Sequence, residues 1–483
     1  MANETELKLE LSPEAAIALV GASILPHDSS LIAHRSRYFD TADQFLAKSG
    51  FSLRIRTTGD QRIQTVKGGG SSTAGLFVRS EWECAVTTDV PVIDDTTPMK
   101  MLLGPRVSEI APVFEVRVER RMWSFQHGSS VVEMVLDQGN VATGDRQTPI
   151  CEIELELKRG NPIDLFDFAR KIDAVVPVRL GVMSKSNRGT RLRAPVVTSF
   201  KAEPMFLGDH MTVAEAFQKI AGACIRQFRM NETAMDNKNA EALYRARVGL
   251  RRLRSAMSIF KPILKDDKLA WMQGEIRWLA SALGEARDLD VLIPRFADSP
   301  LLPSLNAARE DAYVRAETAL ASPRARALMI DLSEWNACGT WLTQTSTAAT
   351  RQLPLNEFAC ARLNRLRKKV KRIDHPLADL DDAARHQLRK DVKQLRYGVA
   401  FFESLFDGKN AKRRHEHFAS SAKTLQNKLG ALSDASTGTA ILRSLRLGDA
   451  EIASAFALTG QEVLIEAAGG AYQNLLDTKV FWR

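Results

Sequence analysis

Cysteine, aromatic residues and long apolar runs are scarce in this 483-residue sequence. The five cysteines are scattered and form no C-x-x-C pair, which argues against a disulfide framework or a zinc knuckle and favours a cytoplasmic location. No run of about 18 apolar residues is present, so we expect neither a spanning helix nor a membrane partner. The acidic amino terminus lacks the basic and apolar segments of a secretory signal.

The positive charge of the chain lies in its second part. The net charge is +9, yet residues 1–200 carry −1 and residues 201–483 carry +10. This division predicts two domains with different roles, and it favours a polyanionic partner for the second domain.

The first 193 residues alternate polar and apolar side chains, as in Thr5–Leu11 and Glu152–Lys158. Period two over several short segments predicts an antiparallel sheet. Short helices are expected after Ser12 and over residues 163–175. The glycine-rich run 68–75 lacks the Lys-Ser/Thr ending of a P-loop and is interpreted as a hairpin loop.

The periodicity becomes helical from Thr212 onward, and a bundle of eight or more helices is expected. The sequence therefore predicts an α+β protein: an antiparallel β-barrel or tunnel domain at 1–195, a linker at 196–207 and an all-α domain at 208–483.

The helical half contains an internal repeat. Residues 245–260 align without gaps to residues 387–402, and the basic positions coincide: Arg247, Arg251 and Arg254 fall on Arg389, Lys393 and Arg396. Two related sub-bundles are expected, at about 208–345 and 346–483. Like charges four residues apart destabilise a bare helix, so a duplicated basic stripe favours an anionic ligand over a solvated face.

Charges of both signs recur at every second position of the predicted strands. If these faces curve toward each other, a closed sheet encloses a charged interior whose groups need partners. Mg²⁺ or Mn²⁺ suits the carboxylates, and a phosphate chain suits the guanidinium and ammonium groups. An exposed sheet with cross-strand salt bridges is the alternative. The charged residues are Glu4, Glu6, Lys8, Arg54, Arg56, Lys67, Arg79, Glu81, Glu83, Glu152, Glu154 and Glu156.

The Glu4–Lys8 segment matches the E-x-E-x-K signature of the CYTH superfamily, also called triphosphate tunnel metalloenzymes. Eight further blocks resemble that family in order: Tyr38–Thr41, Ser52–Arg56, Thr65–Lys67, Arg79-x-Glu81-x-Glu83, Arg120-x-x-Trp123, Asp137-x-Gly139, Glu152–Glu156 and Ser184-Lys185-x-x-Arg188-Gly189. The resemblance covers about residues 2–193. It implies a β-barrel-like tunnel that hydrolyses triphosphates with a divalent metal.

The resemblance also implies roles for individual residues. Lys8, Glu152 and Glu154 are expected to be catalytic. The expected metal ligands are Glu4, Glu6, Glu81, Glu83, Asp137, Glu152 and Glu154. The expected substrate-binding residues are Lys8, Arg54, Arg56, Lys67, Arg79, Arg120 and Lys185. The strand phase near Arg120 leaves Arg117 and Arg121 open as alternatives.

Residues 208–483 resemble the CHAD domain, on the two basic helices and on Leu283-Gly284-x-x-Arg287-Asp288. The chain departs from the family at Tyr244, in place of histidine, and at Ser433, in place of arginine. The resemblance implies binding of long-chain polyphosphate by Arg247, Arg251, Arg254, His386, Arg389, Lys393 and Arg396. Nucleic acid is expected to bind only nonspecifically, because the stripes lack interleaved aromatic residues.

We therefore expect a metal-dependent enzyme that converts inorganic tripolyphosphate to pyrophosphate and phosphate. We also expect that a polyphosphate-binding helical module is attached to this enzyme and that the protein associates with polyphosphate granules in the cytoplasm. Three alternatives stay open: a thiamine or nucleoside triphosphatase, an adenylate cyclase in the same tunnel, or a noncatalytic polyphosphate-binding protein. The intact carboxylate set argues against the last, since an anion binder gains nothing from carboxylates without metal.

Overall fold

The computed structural model of the protein describes residues 2–208, 210–235, 238–373, 375–444 and 461–482. Residues 445–460, within the predicted second sub-bundle, thus lie outside the described residues.

The chain divides into two compact units. The first comprises Met1–Phe200 and Ala321–Gly339, and the second comprises Lys201–Leu320 and Thr340–Arg483. The domain boundaries drawn from the sequence stay a prediction. Residues 321–339, which belong to the helical half of the sequence, pack with the strands of the first unit.

The first unit contains an antiparallel barrel. Its strands are β1 (Ala2–Glu10), β2 (Ser30–Asp40), β3 (Ser52–Thr58), β4 (Gln61–Thr73), β5 (Leu76–Ala85), β6 (Ala111–His127), β7 (Ser130–Thr143), β8 (Arg146–Arg159) and β9 (Arg179–Leu180). They follow the order β5-β4-β3-β2-β6-β7-β8-β1-β9. Because β1 also pairs with β5, eight strands close on themselves, and β9 is added beside β1.

Helices accompany the barrel and then dominate the chain. They are α1 (Pro13–Val20), α2 (Phe45–Lys48), α3 (Met99–Leu103), α4 (Ile163–Val175), α5 (Lys185–Arg193), α6 (Val213–Thr233), α7 (Ala240–Ile259), α8 (Lys268–Ala282), α9 (Gly284–Leu292), α10 (Leu302–Ala321), α11 (Pro323–Cys338), α12 (Ala348–Arg351), α13 (Leu355–Val370), α14 (Asp382–Phe401), α15 (Lys409–Ser444) and α16 (Gln461–Asp477). The predicted α+β class, with a barrel followed by helices, is confirmed. No helix of the described ranges combines the length and apolarity needed to cross a membrane.

Local sequence signals account for several element boundaries. The hydroxyl of Ser12 accepts a hydrogen bond from the Ala15 N–H at 3.2 Å, so α1 begins with the expected cap. The hairpin expected in the glycine-rich run is present, but β4 continues to Thr73. The turn itself is Ala74 and Gly75, with φ of 38° and 97°.

Two regions of the outer face of the barrel are apolar and buried. In β1 and β8, Leu7 pairs with Leu155 and Leu9 with Ile153, and all four side chains are buried. The buried face of α4 packs against these two strands. On β2, β3 and β4, a second buried cluster that includes Phe39 packs with residues of α2 and α3. A large part of the hydrophobic stabilisation of the first unit is therefore placed outside the barrel.

One end of the barrel interior is also apolar. The rings of Tyr38 and Phe114 stack with their centroids 4.6 Å apart. We call this cluster the apolar floor: Tyr38, Phe114, Val116, Val118, Val141 and Ile150. Helix α5 packs on it through Leu192. The charged interior expected from the sequence therefore occupies only part of the barrel.

The second unit brings the two repeat helices together. Helices α7 and α14 pack against each other, and the Phe260 and Phe402 rings that follow them lie 5.8 Å apart. The guanidinium of Arg247 donates to the Gly284 carbonyl at 3.0 Å, and that of Arg389 lies beside Gly430. Corresponding residues of the two repeats thus occupy corresponding surroundings.

Close packing of α5 on the apolar floor yields a stability prediction. A Cβ atom on Gly189 would overlap the Phe114 ring. We therefore expect Gly189→Ala to lower the free energy of unfolding by about 1–3 kcal/mol, as overpacked cores do. Denaturant unfolding followed by circular dichroism measures this change.

Gly21→Ala is the matched control, because a Cβ there would meet only ordinary contacts of 3.7 Å or more. This control should stay within about 0.5 kcal/mol of the unsubstituted protein. Equal stabilities of the two variants would contradict the packing described for α5.

Candidate functional site

A charged cavity of about 210 Å³ lies inside the barrel. Seven carboxylates and eight cationic side chains line it, together with small polar groups and Tyr38. The carboxylates are Glu4, Glu6, Glu81, Glu83, Glu133, Glu154 and Glu156. The cations are Lys8, Arg54, Arg56, Lys67, Arg79, Arg120, Lys158 and Lys185.

The alternation of strand side chains places these groups on one surface. Successive side chains of a strand point to opposite faces, so charges spaced by two residues share the inner face. Glu4, Glu6 and Lys8 of β1 point inward while Leu7 and Leu9 are buried on the outer face. The same period brings the inner charges of β3, β5 and β8 into the cavity.

The upper wall of the cavity is made of ion pairs. The ammonium of Lys67 donates to the Glu4 carboxylate at 2.6 Å, and the guanidinium of Arg79 pairs with Glu6. The ammonium of Lys8 pairs with Glu154 and lies 3.4 Å from Glu6. Burial alone would lower the pKa of Lys8, but the attraction of Glu154 and Glu6 outweighs it and raises the pKa.

A second layer of carboxylates lies beneath the wall. Asp137 and Glu152 are buried and do not line the cavity, although both were expected to be metal ligands. The ammonium of Lys185 lies 2.6 Å from each of them, and Arg120 donates to Asp137 at 2.8 Å. Burial raises the pKa of Asp137, but Lys185 and Arg120 outweigh burial and hold the pKa below its ordinary value.

Glu154 connects the two layers. Its carboxylate lines the cavity and pairs with Lys8, Lys185 and Arg120. These cations outweigh its burial and hold the pKa of Glu154 well below the ordinary value, so the carboxylate is ionised. One oxygen each of Asp137, Glu152 and Glu154 lies within 4.8 Å of the others.

Positive charge is in excess at one side of the cavity. Arg54 donates to the Tyr38 hydroxyl at 3.4 Å, and among the described residues its buried Nε has no hydrogen-bond partner. Repulsion by Arg54, followed by burial, lowers the pKa of Arg56 to about 10. Burial, together with Arg56 and Arg120, lowers the pKa of His34 to about 4. These shifts indicate a positive potential that an anion would relieve.

Negative charge is in excess near Glu156. Burial raises the pKa of this carboxyl, and Glu4 and Glu133 add to the rise, although Lys158 lies 2.7 Å away and opposes it. Sequence reasoning assigned no role to Glu133 or Lys158. Both had a detectable signal, since Lys158 continues the alternation of β8 and Glu133 precedes Asp137 by four residues on β7.

Among three neighbouring arginines of β6, Arg120 is the one that lines the cavity. Arg117 is exposed and its Nε donates to Glu115 at 2.5 Å. Arg121 donates to the Ser29 hydroxyl at 3.1 Å. Arg120 lies on the same face of β6 as Val116 and Val118 of the apolar floor, so its side chain points to the barrel interior.

The donor set of the cavity fits a divalent cation of the Mg²⁺ or Mn²⁺ kind. Its lining within the described ranges offers carboxylate and hydroxyl oxygens but neither thiolate nor imidazole. Hard cations prefer such oxygen ligands. Most of these carboxylates are already compensated by lysine or arginine, so a cation would have to replace those partners.

The basic stripes of α7 and α14 lie in the second unit. Burial, followed by Lys390, Arg389 and Lys393, lowers the pKa of His386, so the stripe of α14 carries a positive potential. On this helix, Arg396 donates to Gln426 at 2.6 Å.

Tyr244 gathers the basic groups around α7. Its ring centroid lies 4.6 Å from the Arg287 guanidinium, 5.2 Å from that of Arg245 and 5.9 Å from that of Arg251. The Tyr244 ring, which stands where histidine was expected, therefore makes cation–π contacts with three arginines.

Comparison with known proteins gives matches for both parts of the chain. Residues 2–189 match the CYTH domain and residues 219–443 match the CHAD domain. The inorganic triphosphatase of Haemophilus influenzae is 33% identical over 200 residues, which are 39% of this chain and 54% of that protein. The chain thus spans about half the length of this curated relative.

Two solved structures are also similar. The CHAD domain of the plant Ricinus communis is 27% identical with a TM-score of 0.44, over 58% of this chain and 91% of that one. An adenylyl cyclase candidate from Hippeastrum, described as having a dominant triphosphatase activity, is 17% identical with a TM-score of 0.31, over 39% of this chain and 95% of that one.

The barrel with its charged interior and the helices that follow it agree with both family matches: the chain carries a CYTH domain followed by a CHAD domain.

Proposed function

We propose that the barrel cavity hydrolyses inorganic tripolyphosphate to pyrophosphate and phosphate with the help of a divalent metal. The observation that carries this proposal is the lining, in which carboxylates and phosphate-binding cations are paired with each other inside one enclosure. In a metal complex of a condensed phosphate, the phosphate oxygens can pair with the lysine and arginine side chains, and the metal can pair with the carboxylates. The CYTH match and the triphosphatase relative support the same reaction class.

The cations of the cavity would bind the substrate. Arg54 and Arg56 lie where positive charge is least compensated, and guanidinium groups bind phosphate oxygens in bidentate fashion. Lys67, Arg79 and Lys8 would exchange their carboxylate partners for phosphate oxygens. In this way the chain neutralises the charge that develops on the leaving pyrophosphate.

The carboxylates released by that exchange would hold the metal. Glu4 and Glu6 of β1, with Glu154 on the adjacent strand β8, are the proposed ligands. A cation bound there would polarise phosphoryl oxygens and lower the charge repulsion that opposes attack by water. Glu154 stays ionised and can accept a hydrogen bond from that water. Glu152 and Asp137 keep Lys185 and Arg120 in position from below.

An inorganic substrate is favoured over one that carries a ring. A nucleobase or a thiazolium ring needs an aromatic surface, and within the described lining Tyr38 alone is aromatic. One face of its ring is already stacked on Phe114. A thiamine or nucleoside triphosphatase and an adenylate cyclase therefore rank below the inorganic triphosphatase.

We also infer that the helical unit binds long-chain polyphosphate through its two basic stripes. The lowered pKa of His386 and the group of arginines around Tyr244 support a positive surface. Phosphate contacts of this kind are independent of sequence and weaken as salt rises.

Substrate choice and metal dependence can be measured together. Tripolyphosphate, ATP and thiamine triphosphate are incubated side by side with Mg²⁺, Mn²⁺ or a chelator, and orthophosphate and cyclic AMP are quantified. We expect phosphate chiefly from tripolyphosphate, and none with chelator. Glu4→Gln should lower kcat by about 100-fold or more, because one proposed ligand is neutralised.

Glu119→Gln is the matched control for that substitution, since Glu119 is exposed on the outer face of β6. It should retain the unsubstituted rate. Equal loss in both variants, or hydrolysis that persists in chelator, would refute the proposed chemistry.

The position of Arg56 predicts a pH effect on substrate binding. Its pKa of about 10 means that the guanidinium is charged below pH 10 and loses its proton above it in the free enzyme. The KM of the unsubstituted protein for tripolyphosphate, divided by the KM of Arg56→Ala at the same pH, should therefore be constant below pH 10 and rise above it. Arg56→Ala should raise the KM about 10- to 100-fold at pH 8, as expected for a lost charge-assisted bond.

The pH step should be absent from the Arg56→Ala variant. Arg62→Ala is its control, because Arg62 pairs with Asp89 rather than with the cavity. If the pH step is still present in Arg56→Ala, a group other than Arg56 is responsible for it.

Charge reversal tests the helical unit. In the full-length protein, Arg251→Glu with Lys393→Glu should weaken binding of long-chain polyphosphate at least about 10-fold at 0.1 M salt and flatten its salt dependence. Lys412→Glu serves as control, because this exposed residue lies in the first turn of α15 and belongs to neither stripe. Titration calorimetry measures both, and equal affinities for the three proteins would remove the stripes from the proposal.

A further inference from the structure

Helix α11 belongs to the helical half of the sequence but packs as part of the barrel unit. It lies within the region matched to the CHAD domain, yet residues Ala321–Gly339 cluster with Met1–Phe200. Its contacts there are with α4, β4 and β9. The barrel unit thus includes a helix that begins more than 120 residues after the end of α5.

Two groups of ion pairs attach α11 to α4. The guanidinium of Arg170 donates to Asp331 at 2.6 Å and also pairs with Glu334. Near the other end of α11, Arg326 donates to Asp173 at 2.6 Å. These contacts orient the buried face of α11, so that Ser333 can reach the barrel.

Ser333 makes the contact that matters for the cavity. Its hydroxyl donates to the carbonyl oxygen of Ala74 at 2.7 Å, and both residues are buried. Ala74 has a φ of 38°, a conformation that residues other than glycine rarely adopt. A buried carbonyl needs a hydrogen-bond partner, so Ser333 stabilises a strained turn that would otherwise bear an unsatisfied group.

That turn is bonded directly to β1, which carries part of the upper wall of the cavity. The carbonyl oxygen of Gly75 accepts a hydrogen bond from the backbone N–H of Lys8 at 3.0 Å. Immediately beyond it, Leu76 pairs with Leu7 and Arg79 pairs with Glu4 across the contact that closes the barrel. A shift of the turn would therefore move Lys8 and Arg79, whose ion pairs form the wall.

We propose that Ser333 is a positioning residue for the cavity: it fixes the turn between β4 and β5 and thereby the placement of Lys8 and Arg79. This role rests on the proposed function, in which both cations bind triphosphate. A residue from the CHAD-matched sequence then determines how well the CYTH-matched barrel binds its substrate.

The test compares Ser333→Ala, Ser333→Thr and Ser322→Ala in the full chain. Ser322 caps the same helix, so its substitution weakens α11 without removing the bond to the turn. Ser333→Ala should lower kcat/KM for tripolyphosphate about fivefold or more, because Lys8 and Arg79 both bind the substrate and neutralise the charge that develops on the leaving pyrophosphate. It should also accelerate hydrogen exchange at the Lys8 amide. Ser333→Thr, which keeps the hydroxyl, should restore both values.

Two results would overturn the proposal: an unchanged Lys8 exchange rate in Ser333→Ala, or equal effects of Ser333→Ala and Ser322→Ala. The exchange measurement is independent of activity. If the unsubstituted protein fails to hydrolyse tripolyphosphate, the proposed function is lost, while the exchange rates still decide whether Ser333 holds the turn.

Discussion

Compensation of charge inside the barrel is the constraint on which the rest of the structure depends. Lys8 and Lys185 are buried and Glu154 is half-buried, and an isolated buried ion costs several kcal/mol. Each is therefore neutralised by a neighbouring side chain of opposite charge. A ligand of one sign would leave half of the wall without a partner. Under the proposed function, a metal complex of a condensed phosphate would bring both signs together, and it would bind by exchange of ion-pair partners rather than by filling an empty charged space.

The same constraint reverses the usual arrangement of a small barrel. Because the cavity is lined with charge, much of the apolar burial lies on the outer face, where Leu7, Leu9 and Ile153 pack beneath α4. Strands β1 and β8 are consequently covered on both faces, and their outer apolar residues alternate with the charged ones. The helices around the barrel are thus required by the interior chemistry. Ser333 on α11 extends this dependence to a segment that a domain boundary drawn from sequence would separate.

The sequence predicts which residues belong to the site better than it predicts which of them line the cavity and which are buried behind the lining. Period two alone determines that Glu4 and Lys8 share a face, and the duplicated stripe predicts that α7 and α14 are related helices. Layering cannot be deduced in this way. Asp137 has the residue type and the alternation of a wall residue, yet it is buried against Lys185 and Arg120 and does not line the cavity. The phase of β6, and so the choice of Arg120, depends on which part of that strand enters the barrel, a tertiary property that local patterns do not record.

The apolar floor has a consequence for how long chains are handled. Phe114, Val116 and Ile150 fill one end of the barrel interior with apolar side chains. If the cavity hydrolyses condensed phosphate as we propose, this end offers the substrate no charged contacts, and substrate and products would pass through the opposite end. Cleavage would then be confined to chain termini, with the remainder of a longer chain held outside.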